Sequence, residues 1–156
     1  MGESTGDFVR AHQRNDVDAQ KYEATVVDIE VHKIRLLKMR YIDCLNDKDW
    51  LGLVDVFAED AVVSYEDGTT NYRGRDAIIG YLRSGLETLR AVHAATNGVI
   101  TIDDPGHAHG TWDLHFYWDD PWDNTSMRGQ GVYSDRYVKV DGIWRIGFTG
   151  FVTTEN

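Results

Sequence analysis

From Ala24 to Asn46 the apolar residues Val26, Ile29, Ile34, Leu37, Tyr41, Cys44 and Leu45 recur at intervals near three and four. That spacing gathers side chains on one stripe of a long amphipathic helix. The polar run Asn46-Asp47-Lys48-Asp49 interrupts the stripe, and Trp50 to Phe57, with Leu51, Val54 and Phe57 on a shared face, predicts a short second helix. Ala61 to Tyr65 is rich in β-branched residues and runs into Asp67-Gly68, the pattern of a strand and its turn. Arg75 to Arg90 returns to helical spacing through Ile78, Ile79, Leu82, Leu86 and Leu89. Extended segments near 91–103, 107–118, 128–140 and 143–153 follow, separated by Asp104-Pro105-Gly106, Asp120-Pro121 and Asp141-Gly142. The last is a hairpin signal, because glycine permits the positive φ of a tight primed turn. Residues 1–23 are polar without a sustained period, which predicts a mobile arm or a short helix lying over a single domain of residues 24–156.

Helices first and an antiparallel meander afterwards define an α+β fold, with a curved sheet wrapped around the long N-terminal helix. Strand alternation over Gly110 to Trp118 puts Trp112, Leu114, Phe116 and Trp118 on one face and Thr111, Asp113, His115 and Tyr117 on the other. The first face suits the wall of a cavity for a flat apolar ligand. Composition sharpens this: the chain carries 18 aromatic residues, and ten of them fall in its last 50 positions. The formal net charge of −10 and the lack of any run of basic residues longer than two argue against a nucleic-acid partner. No apolar run approaches the roughly 18 residues of a membrane span, and no leader pattern opens the chain, so a cytoplasmic protein is expected. Cys44 stands alone, which removes an internal disulfide framework and a cysteine-based zinc cage. His107 and His109 sit in a Pro-Gly turn region and read as solvated imidazoles, so no metal site is expected. His93 lies in the apolar run Ala91-Val-His-Ala-Ala95 and is expected to be buried, where an imidazole needs a partner or a task.

The order of elements, with YIDCLNDKDW (41–50), VVSY (62–65), AVHAATN (91–97), GTWDL (110–114) and RYVKVDGIWRI (136–146), resembles the SnoaL-like group of the nuclear-transport-factor-like superfamily over about residues 25–153. The resemblance implies a cystatin-like, cone-shaped α+β barrel with one deep pocket, and cofactor-free lyase chemistry. It implies His93 as general base and Tyr65 and Tyr41 as phenol donors to a substrate carbonyl. Asn46 stands where related lyases carry the aspartate that orients the histidine, and Thr149 where several carry a basic residue. Asp43, three residues from Asn46, is a candidate replacement for that carboxylate. Trp112, Leu114, Phe116, Tyr133 and Trp50 are candidate substrate-binding residues.

These readings converge on a cofactor-independent dehydratase-like lyase or isomerase acting on a small hydrophobic polycyclic or aromatic carbonyl compound. His93 would abstract the proton, and Asn46 or Asp43 would fix its ring. Two alternatives stay open: a non-catalytic protein that binds a small ligand in the same pocket, and a polyketide cyclase or ketosteroid-type isomerase using a carboxylate base such as Asp43. The aromatic sheet faces predict association, and the resemblance implies a homodimer or homotrimer.

Overall fold

The computed structural model describes residues 5–154. Its first element is a helix of 43 residues, α1 (Thr5–Asp47), which rises about 1.5 Å per residue to a length of roughly 65 Å. The arm or separate short helix expected over residues 1–23 is thus, from Thr5 on, the first half of the same helix; residues 1–4 lie outside the described residues, as do 155 and 156. Side chains from Gln13 to Ile29 are exposed, so packing does not hold this half. No glycine or proline stands between Gly6 and Gly52, and the backbone ladder simply propagates outward from the packed half.

α1 stops where Lys48 turns left-handed (φ 55°) and the Asp49 N–H donates to the Cys44 carbonyl at 2.9 Å. The predicted second helix is only a 3₁₀ turn over Gly52–Asp55, because the chain is already extended at Phe57 and belongs to the first strand. That strand, β1 (Phe57–Tyr65), turns through residues 66–69 into β2 (Thr70–Arg73), a short edge strand whose polar sequence gave no signal. α2 (Arg75–Leu86) follows, and then the four long strands β3 (Arg90–Asp104), β4 (His107–Asp120), β5 (Thr125–Val140) and β6 (Ile143–Thr154). The turn at Asp141-Gly142 has positive φ at both residues, as a primed hairpin requires.

The six strands form one mixed sheet in the order β2-β1-β6-β5-β4-β3. The meander is antiparallel, while β1 lies parallel to β6. The sheet is not closed, since β2 and β3 are free edges, so the cone is an open curl rather than a barrel. Its concave face holds the C-terminal half of α1 and one side of α2, with Ile34, Leu45, Phe57, Val63, Ile78, Leu114 and Ile146 in the core. A polar clasp fixes α1 lower down: Glu30 accepts from the Trp144 indole at 2.5 Å and pairs with Lys139 at 2.9 Å and Lys33 at 3.1 Å. These donors hold the Glu30 carboxyl down at about 2. No described helix is long and apolar enough to cross a membrane.

Candidate active site

Between α1, α2 and the concave sheet lies a cavity of about 460 Å³. Its sheet wall comes from the face of β4 that alternation assigns inward: Leu114 is buried, Phe116 and Trp118 half-buried, and all three line it. Leu82, Gly85 and Leu86 of α2 form the opposing wall, and Met127, Phe151 and Thr153 border it from β5 and β6. Apolar lining with few polar groups is the make-up of a small-molecule site.

Three phenols stand at the deep end. Tyr41, Tyr65 and Tyr133 are each no more than 3% exposed, and all line the cavity. Tyr41 and Tyr133 meet edge-on with centroids 6.2 Å apart, and Tyr65 stacks on Phe151 at 4.5 Å. Burial pushes all three hydroxyls well above the ordinary phenol value, and their mutual proximity pushes Tyr41 and Tyr65 further. They remain neutral, so each keeps a proton to donate. Among the described residues the Tyr65 hydroxyl has no hydrogen-bond partner, and a buried polar group without one calls for a ligand or water.

His93 enters from β3, opposite Phe116 on β4, and lines the same cavity. Its Nδ1 is buried without a partner, and desolvation lowers the imidazole below its ordinary value. The ring is therefore neutral at pH 7, with a lone pair available to take a proton. Asn46 does not touch that ring. Its Oδ1 accepts the His93 backbone N–H at 2.7 Å and its Nδ2 donates to the His93 carbonyl at 2.9 Å, so it clamps the β3 backbone onto α1. The expected orienting bond to the imidazole is thus a bond to the main chain.

Asp43 is exposed, against the expectation that it could replace a carboxylate at the histidine. Asn46 already sits at the margin of the buried stripe, and a step of three residues turns Asp43 about 60° further, onto the solvent face. Trp112 is inward but lies below the cavity: its indole N–H donates to the Tyr137 hydroxyl at 3.0 Å and Gly98 packs against its ring. Trp50 is a partly buried residue packed on the core and does not line the cavity.

Beneath the phenols the structure holds a group that the sequence did not reveal. Lys38, fully buried one turn before Tyr41, lies 2.8 Å from Asp135 Oδ2 and 3.5 Å from the centre of the Tyr133 ring. Asp135 also accepts from Tyr137 at 2.8 Å and from Thr149 at 2.6 Å. Burial pushes the Lys38 ammonium down, and the Asp135 carboxylate pulls the other way. Thr149 thus serves a buried cation that comes from the helix rather than from β6. In the sequence Lys38 looks like one more polar helical residue; only its spacing of three before Tyr41 hinted at the inner face.

A model of the SnoaL-like domain matches residues 29–149. A Mycobacterium tuberculosis protein of unknown function is similar in structure at 26% identity and TM-score 0.72, over 90% of this chain and 76% of that one. A candidate scytalone dehydratase from Novosphingobium aromaticivorans is similar at 26% identity and TM-score 0.75, over 81% of this chain and 85% of that one. The fold is shared also with LinA, at 18% identity and TM-score 0.71, over 88% and 90% of the two chains. With its open cone and a family match over residues 29–149, most of its length, this chain belongs to the SnoaL-like domain family.

Proposed function

We propose that the protein is a cofactor-independent lyase or isomerase acting on a small, flat aromatic or polycyclic carbonyl compound. The observation that carries this reading is a half-buried, neutral imidazole, its Nδ1 without a partner among the described residues, lining the same apolar cavity as three buried, protonated phenols. In the proposed reaction a lone pair on the His93 ring takes a proton from the carbon next to the carbonyl. The C–H electron pair moves into an enolate, whose oxygen accepts hydrogen bonds from Tyr65 and Tyr41. The imidazolium then returns its proton either to a hydroxyl leaving from the neighbouring carbon, which completes a dehydration, or to another carbon, which completes an isomerisation. The likeness to a candidate scytalone dehydratase at 26% identity supports the same class.

Hydrogen exchange reads this chemistry without a known substrate. A panel of aryl ketones in D₂O is expected to gain deuterium next to the carbonyl in the presence of the protein. His93→Ala should lose roughly 10²- to 10⁴-fold of that exchange, and Tyr65→Phe a smaller part. Exchange that is undiminished in His93→Ala would remove the mechanism. A second reading, ligand binding without turnover, is favoured by the absence, among the described residues, of any carboxylate bonded to the His93 ring, which leaves an imidazolium without electrostatic support. Binding of the ketones with no protein-dependent exchange is the outcome that selects it.

A further inference from the structure

The cavity has a second polar end. Besides His93 and the phenols, its lining includes one carboxylate among the described residues, Glu66, on the turn that follows Tyr65. Glu66 is half-buried beside the exposed turn residues Asp67 and Gly68, whereas Tyr41, Tyr65 and Tyr133 lie at the buried end, so the carboxylate marks the rim. Its Oε2 is held by the Thr153 hydroxyl at 3.1 Å and faces the Thr153 N–H at 3.4 Å, and Thr153 lines the cavity too. Oε1 accepts no hydrogen bond from the described residues. The backbone at Glu66 is left-handed (φ 51°), a conformation that glycine or asparagine adopts at less cost, yet a glutamate stands there. Next to it Tyr65 and Phe151, which both line the cavity, stack with ring centres 4.5 Å apart.

The geometry points to Glu66 as a specificity residue that selects flat aromatic ligands bearing a hydrogen-bond donor, a phenolic hydroxyl or an amino group, at the end opposite the carbonyl. An apolar ring fills the slot along Tyr65 and Phe151. The donor then meets the free Oε1, in a charge-assisted bond whose acceptor is already oriented by Thr153. A ligand that ends in a C–H at that point supplies Oε1 with no donor and displaces water from it, which weakens its binding. The inference rests on the proposed function only for which end of the ligand points inward.

Binding of matched ketones tests it without any need for turnover. The probes are 6-acetyl-2-naphthol against 2-acetylnaphthalene and, for a longer reach, 4-acetyl-4′-hydroxybiphenyl against 4-acetylbiphenyl, with dissociation constants measured by calorimetry. In at least one pair the hydroxylated ketone should bind the wild-type protein about tenfold more tightly, as expected for one charge-assisted bond at a half-exposed position. Glu66→Gln should shrink the preference, and Glu66→Leu should erase it while keeping the affinity for the unsubstituted ketone, which also reports that the cavity is intact. His93→Ala should keep the preference. Equal affinities within both pairs, a preference that survives in Glu66→Leu, or no binding of any of the four ketones overturns the assignment. Loss of ketone exchange is a separate result that bears on His93 alone.

Discussion

At the scale of single residues, His93 presents its ring to the cavity while Asn46 holds the His93 main chain onto the helix. Burial keeps the imidazole below its ordinary value of 6.5, so between that value and the lowered one the unfolded chain holds a proton that the folded chain does not. Stability from this group is therefore complete above about pH 6.5 and is lost as pH falls from there through the lowered folded value. His93→Gln should flatten the dependence of urea stability on pH in that acid range; parallel curves for the two proteins would contradict the burial argument. Asn46 makes two hydrogen bonds to the His93 main chain. Asn46→Ala should cost about 2 kcal/mol in urea denaturation, since it leaves a partly buried N–H and carbonyl unpaired. Motifs in the sequence bring Asn46 and His93 together, but whether an amide meets a ring or a peptide group depends on the depth at which β3 lies on the helix.

Among elements, α1 has two halves with different causes. From Ile34 to Leu45 the apolar stripe packs under the sheet, and the periodicity made that half legible. From Gln13 to Ile29 the helix has exposed side chains, so that stretch buries no stripe. Deleting residues 1–20 should leave the urea midpoint of the remaining domain unchanged, because the side chains from Gln13 to Gln20 are exposed; a lowered midpoint would show that this half is held by contacts. The four long strands were legible because they alternate and end in strong turn signals. β2 was not, since a polar four-residue edge strand gains its hydrogen bonds from β1 rather than from any pattern of its own.

Across the molecule, the buried Lys38–Asp135 pair ties the inner face of α1 to β5, and through Thr149 and Tyr137 it reaches β6 and the Trp112 indole of β4. Removing one member leaves the other charge without its counterion. Lys38→Met should destabilise the fold by about 3 kcal/mol, and Lys38→Met combined with Asp135→Asn should recover part of that loss. Additive losses in chemical denaturation would show that the two groups do not act as a pair.

The sequence by itself determined the α+β class, the long helix under a meander and the inward face of β4. Those features follow from local periodicity and turn chemistry, which act over a few neighbouring residues. Tertiary structure alone decided that the cone stays open, that Asp43 faces solvent, that Trp112 sits below the cavity, and that Lys38, Asp135 and Glu66 stand where they do. Each depends on the rotation of a helix or the curl of a sheet, and a turn of about 60° is enough to exchange a buried carboxylate for an exposed one. Such rotations are set by packing between segments distant in the chain, to which the spacing of neighbouring residues is blind.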